Sequence, residues 1–141
     1  MHSSYMKFKA YSYLSDKMYV VKEINIPLIE DYLWVYDPDC EEDNYYIKEF
    51  FEILQYTTMK DCNEVDIYEG DIIQHDDSDI GGTNDICEVI WCNNLELNNC
   101  PGWGLQVYEN GKPKRFKRFG PGKCKILGNI YLESDKELLL K

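Results

Sequence analysis

Carboxylates, thiols and two imidazoles are the side chains here that could do chemistry, and their spacing sets how far that goes. The run Asp77-Ser78-Asp79-Ile80-Gly81-Gly82, with Glu88 at the twelfth place, partly fits a calcium loop. Such a loop needs oxygen donors at positions 1, 3, 5 and 12 and a glycine at position 6. Gly81 stands at position 5, where a donor belongs, and Glu88 opens a strand-like run instead of an exiting helix. A solvated acidic hairpin tip is the better reading of Asp77, Asp79 and Glu88. Cys87, Cys92 and Cys100 with His75 would supply four zinc ligands. Nothing downstream matches the Cys87–Cys92 couple, and residues five apart on a regular strand face opposite sides. Free thiols are the better reading there. His2 and His75 are the only imidazoles, and no serine sits in a nucleophile motif. Carboxylate neighbours such as Asp76-Asp77 are frequent because the chain is acidic. No catalytic residue and no cofactor is expected, and a metal-dependent enzyme is the least supported reading.

The segment Lys112-Pro113-Lys114-Arg115-Phe116-Lys117-Arg118-Phe119 interleaves cations with rings. Lys114, Arg115, Lys117 and Arg118 could grip a phosphate backbone while Phe116 stacks on a base. The competing reading is a hairpin that docks on acidic surface of its own or a neighbouring subunit. That reading is favoured, because the rest of the chain would repel nucleic acid. Residues 1–111 carry 6 basic and 23 acidic side chains, a net of −17, whereas 112–141 carry 9 basic and 3 acidic, a net of +6. A charge layout of this kind governs partners and association, not fold.

The elements that must position these groups belong to a globular chain. A length of 141 residues suits one domain with a real hydrophobic core. Apolar residues make up 44% and charged ones 29%, which excludes a disordered composition. Twelve tyrosines favour strands with one wet face, and also partner surfaces. The longest apolar run, Leu138-Leu139-Leu140, is far short of the roughly 20 residues of a membrane helix. No secretory h-region follows the first basic residue, so a cytoplasmic location and reduced thiols are expected at all six cysteines.

Short alternating runs dominate. Lys7–Tyr11 and Met18–Val21 read as strands around a turn at Ser15-Asp16-Lys17. Residues 24–36 read as extended structure or a short helix, and 37–44 as an acidic loop. Tyr46, Ile47, Phe50, Phe51 and Leu54 fall at helical spacing, predicting a short helix over 44–51, with a strand as the alternative. Strands are predicted at 53–57, 65–68, 72–74, 87–92, 104–108 and 125–131. His75–Asp85 reads as an exposed hairpin loop, Asn93–Pro101 as irregular, Asn110-Gly111 as a tight hairpin turn and Glu133–Lys141 as a tail with helical character. Many short strands joined by turns suggest a small roll or barrel. The expected division is an N-terminal β-rich extension over 1–54, a β-roll core over 55–131 and a tail over 132–141, all in one domain.

Gln55-Tyr56-Thr57-Thr58-Met59-Lys60-Asp61 followed by Ile67-Tyr68-Glu69-Gly70-Asp71-Ile72-Ile73 resembles the pattern QYTGLKD…IYEGDI of the YopX-like family of bacteriophage and prophage proteins. Lys7-Phe8-Lys9-Ala10-Tyr11 is similar to that family's opening KFRAW. Glu88-Val89-Ile90-Trp91, Gly104-Leu105 and Leu127-Gly128-Asn129-Ile130-Tyr131 resemble its later landmarks, in order. Thr58 replaces the family's turn glycine and Tyr11 its tryptophan. The resemblance implies a mainly β domain with a Src-homology-3-like roll in its second half, encoded by a phage or prophage, with no known catalytic residue to carry over. Tyr68, Glu69, Gly70, Asp71, Trp91, Gly128 and Asn129 are read as structural: glycine for a bend, Asp71 for nearby amides. The expectation for function is a non-enzymatic accessory protein that binds a macromolecule, foremost a host or phage protein. Self-association is compatible with this, nucleic acid is disfavoured and no membrane is involved.

Overall fold

The computed structural model describes residues 7–26, 29–92, 102–119 and 123–140. It is mainly β, as expected, and divides into two compact units, Met1–Tyr56 and Thr57–Lys141. No helix among the described residues is long and apolar enough to cross a membrane.

The first unit is an antiparallel meander. Strands β1 (Phe8–Ser12), β2 (Lys17–Ile26), β3 (Ile29–Asp37), β4 (Glu42–Ile47) and the start of β5 (Phe51–Lys60) lie in the order β4-β3-β2-β1-β5. Ala10 pairs with Tyr19 on one side and Ile53 on the other. Residues directly opposite one another share a face, so these side chains converge. Ala10, Tyr19, Leu33 and Val35 form the buried cluster, with Val21, Tyr46, Phe51 and Ile53 packed against it. The turn at 13–16 closes through the Asp16 amide on the Ser12 carbonyl, 2.9 Å. Asp37 shapes the β3–β4 turn: one carboxylate oxygen accepts the Asp39 amide at 3.0 Å and the other the Tyr46 hydroxyl at 3.2 Å.

The helix predicted over 44–51 is absent. Tyr45 and Ile47 point outward from β4 while Tyr46 turns toward the core, and a 3₁₀ turn at Lys48–Phe50 reverses the chain into β5. Two short period-2 runs broken by a tight turn place their apolar residues at i, i+4 and i+8, which imitates a helix. The pairing of Leu33 with Tyr46 settles the strand.

In the second unit, β6 (Asp66–Tyr68), β7 (Asp71–Asp76), β8 (Asn84–Cys92), β9 (Gly102–Glu109), β10 (Lys112–Arg118) and β11 (Lys123–Asn129) follow the end of β5. Five of them form an antiparallel sheet in the order β10-β9-β8-β7-β11, with β10 and β11 at its edges. Ile73, Cys87 and Val107 stand opposite one another across three strands, and Val89 and Leu105 across two. They join Ile67 in a buried cluster against which Met59, Trp103, Cys124 and Ile126 pack. Asn110 and Gly111 make the β9–β10 turn, both at positive φ, and a 3₁₀ segment, Glu133–Leu140, buries Leu139. The Asn93–Pro101 stretch lies outside the described residues.

His75 is a correction. Predicted in an exposed loop, it lies within β7 and is 1% exposed. Strand alternation continues two residues beyond the apolar run, so His75 takes the inward position after Ile73 while Gln74 and Asp76 face out.

Candidate functional site

A cavity of about 360 Å³ opens in the first unit, where the β1–β2 turn meets β4 and the 3₁₀ turn. Its rings form a triangle: Tyr19 to Tyr46 at 5.5 Å, Tyr19 to Phe51 at 5.6 Å and Tyr46 to Phe51 at 5.6 Å. Leu14, Tyr45 and Phe50 also line it, and each is well exposed, Leu14 at 75%. Tyrosines are the only titratable side chains among the lining residues. Burial, together with its hydrogen bond to Asp37, pushes the Tyr46 phenol up to about 12, so it stays protonated at neutral pH. Such a lining can bind an apolar group and hold it by ring contact; the Ser12 and Ser15 hydroxyls that also line it have no imidazole or carboxylate among the lining residues to activate them.

In the second unit the basic hairpin and the acidic loop meet. Lys117 is only 10% exposed and pairs with Asp85 at 2.9 Å and Asp77 at 3.2 Å. Its ammonium also donates to the carbonyls of Thr83, 3.1 Å, and His75, 3.4 Å. Arg115 reaches Asp85 at 3.0 Å and the Thr83 hydroxyl at 2.9 Å. Burial pushes the Asp85 carboxyl up; the Thr83 hydroxyl and the two cations outweigh it and hold the group below the usual range. At Asp77, burial is likewise outweighed by the Thr83 amide and Lys117. Lys114, 3.8 Å from Glu109, and Arg118 are exposed, as is Phe116. The segment read as a possible phosphate grip thus has its two middle cations turned onto the chain's own carboxylates.

Asp77, Asp79 and Glu88 are not brought together as ligands. Asp77 faces Lys117, Asp79 lies exposed in a 3₁₀ turn, and Glu88 accepts the Tyr108 hydroxyl at 3.0 Å. Burial raises the Glu88 carboxyl and pushes the Tyr108 phenol up to about 12. Cys87 is fully buried, and burial pushes its thiol up to about 12, which leaves it inert. Cys100 lies outside the described residues. Among the described residues no group of three or more His, Cys, Asp or Glu side chains is arranged to hold a metal ion.

The Tyr68-Glu69-Gly70-Asp71 turn is a hub of backbone bonds. One oxygen of the buried Asp71 carboxylate accepts the Tyr68 amide at 2.8 Å, and the other accepts the Asn129 side-chain amide at 3.1 Å. Asn129 in turn accepts the Tyr131 amide at 2.9 Å, and its own amide donates to Asp135 at 3.0 Å. Gly70 sits at φ +84°, donates to the Val89 carbonyl and accepts from Ile130. A Cβ there would lie 2.8 Å from the Tyr131 ring. Glu69 is half-buried beside Gly70. Gly128 marks a register shift between β11 and β7, and Trp91 stands 47% exposed at the end of β8 against Trp103, 5.1 Å away edge-on.

The model of the family described as YopX protein matches residues 7–139. The chain belongs to the YopX family. Protein EF1440 from Enterococcus faecalis is similar in structure, with a TM-score of 0.55 and 20% identity. That likeness covers 94% of this chain and 96% of EF1440, and shows the fold alone. None of the curated proteins compared with it matches.

Within this YopX-family chain the aromatic cavity is what reasoning from sequence missed. Tyr46, Phe50 and Phe51 were legible as an apolar stripe, but Leu14 and Tyr19 lie some thirty residues away in sequence. Only the β1–β2 and β4–β5 geometry brings them to one mouth. Local spacing carries no signal for a meeting of residues that far apart in sequence.

Proposed function

We propose that this YopX-family chain is a non-enzymatic accessory protein of a phage or prophage, acting in the bacterial cytoplasm by binding another protein through the aromatic cavity of its first unit. The partner is a basic segment, from host or phage, that inserts an apolar or aromatic anchor. One observation carries the reading: an apolar cavity with exposed side chains at its mouth is tied to the acidic β3–β4 turn through its lining residue Tyr46, whose hydroxyl donates to Asp37. Glu41, Glu42 and Asp43 are exposed there beside Asp39, which pairs with Lys17, so a cationic segment finds attraction at the rim and burial at the centre. The titratable groups lining the cavity are phenols, which supports binding over catalysis.

The test compares capture of partners by the wild-type chain and by the Tyr45→Ser and Phe50→Ser variants. Tyr45 is 50% and Phe50 38% exposed, and neither belongs to the buried core cluster, so the variants should fold. Loss of one defined basic partner in both variants supports the reading; equal capture by all three proteins overturns it. A second copy recovered as the partner would show self-association in place of a foreign ligand. The rival reading, nucleic acid on residues 112–125, retains exposed Lys114, Arg118 and Phe116 on an edge strand. It requires a low-salt mobility shift that weakens when Lys114, Arg115, Lys117 and Arg118 become alanine.

A further inference from the structure

We propose that, while no foreign partner is bound, the aromatic cavity takes strand β10 of a second copy of this chain, with Phe116 as the inserted ring. The inference rests on the reading of that cavity as a binding site and adds a competitor for it. The chain carries both halves of such a contact: an apolar cavity beside exposed carboxylates, and a basic strand with an exposed ring.

Strand β10 divides its side chains between two tasks. Arg115 and Lys117 turn onto Asp85, and Lys117 also onto Asp77. Those pairs hold the strand in place and leave Lys114, Phe116 and Arg118 exposed, Phe116 at 43%. Alternate residues of a strand share a side, so Phe116 and Arg118 present a ring and a cation together, about 7 Å apart along the strand. Lys114 flanks the ring on its other side, at the bulge against β9. Because the strand is already ordered, docking it costs little conformational freedom.

Strand β4 offers the matching pattern. Asp43, Tyr45 and Ile47 are exposed and alternate with the half-buried Asn44 and Tyr46. Tyr45 and Ile47 line the cavity together with Phe50. Asp43 stands two residues before Tyr45, again about 7 Å along the strand. A carboxylate and an aromatic wall thus face a cation and a ring at the same spacing, and cations on both sides of Phe116 let β10 run in either direction along β4. Both are the last strands of their sheets, so each is approached without displacing a described strand. The net charge of −11 repels copies at long range, but that field is screened over about 10 Å at ordinary ionic strength, whereas docked charges meet well inside it. The contact joins unlike surfaces, so it builds chains of copies unless a rotation closes it into a ring.

The experiment follows the mass of the full chain by sedimentation at ordinary ionic strength, up to about 100 μM. Wild type should associate as its concentration rises. Phe116→Ser removes the ring and Tyr45→Ser the cavity wall, and each should weaken association about tenfold or more. Mixed together, these two variants should form a one-to-one complex and stop there, since one retains an intact cavity and the other an intact β10. Both changed side chains are well exposed; Arg118→Glu, at another exposed position, replaces Phe116→Ser if that variant fails to fold. Association that both variants retain, or a mixture without the one-to-one complex, would overturn the inference. A monomeric wild type that still captures a basic partner through Tyr45 and Phe50 overturns this inference alone. A monomeric wild type that captures none removes the cavity reading with it.

Discussion

At Thr58 a β-branched residue holds φ +70°, a region that costs an ordinary side chain about 1–2 kcal/mol. The neighbouring Thr57 hydroxyl enforces it, donating to the Ile67 carbonyl at 2.7 Å while accepting the Met59 amide at 3.1 Å. The family pattern has glycine here, so the departure noted in the sequence marks a real strain in the fold. Thr58→Gly should raise stability by about 0.5–1 kcal/mol, after the extra freedom of glycine in the unfolded chain is subtracted. Gly70→Ala should do the opposite, by about 2 kcal/mol or more, because it adds a positive-φ penalty to a collision with Tyr131. Urea denaturation of both variants checks the pair; the same sign for the two would refute the backbone account. These turns were legible because glycine and asparagine signal special φ locally. Thr58 was legible only by comparison with a family pattern.

The basic strand β10 illustrates what composition hides. Seven cations without an acid between Lys112 and Lys125 look like a patch, yet the register Lys117↔Leu105 turns alternate side chains onto the face holding Asp85. Lys117→Met should cost about 1–2 kcal/mol, because it leaves a largely buried carboxylate with Arg115 as its remaining cation. Lys114→Met should change nothing measurable, since its distant pairing with Glu109 is exposed on both sides. Asp77 and Asp85 are held below the ordinary carboxylate range when folded. Their contribution is therefore complete above about pH 4, the unfolded value, and is lost as pH falls through the lower folded values. The stability gap between wild type and Lys117→Met should be full at neutral pH and shrink on acidification below about pH 4. A gap that stayed constant would mean lost packing, not lost pairing. At this scale the β9–β10 hairpin was legible from Asn110-Gly111 and the bend between β6 and β7 from Glu69-Gly70-Asp71. The 44–51 strand and turn were not, because periodicity alone cannot separate two short strands from one helix turn.

The whole molecule carries a net charge of −11, from 26 acidic and 15 basic side chains. Self-repulsion of that size opposes compactness and is screened over about 10 Å at ordinary ionic strength. The thermal midpoint at neutral pH should rise as salt increases from about 10 mM to about 150 mM. A fall would mean that exposed ion pairs contribute more than the net repulsion. Composition and strand alternation were enough for the fold class, and the ordered motifs between Lys7 and Tyr131 for the family resemblance. They were not enough for the aromatic cavity, whose walls come from turns and strands that meet only after the first-unit sheet has formed.

The chain's three tryptophans divide between the units. Trp34 alone belongs to the first, its ring 4.2 Å from that of Tyr45 and tilted by 42°, whereas Trp91 and Trp103 sit edge to face in the second. Coupled indoles produce an exciton couplet in circular dichroism, which a single indole does not. Each unit therefore carries its own built-in optical signature, and melting of one can be followed apart from the other without any dye. Because Tyr45 is also a wall of the cavity, an occupant settling there would change the emission of Trp34 first.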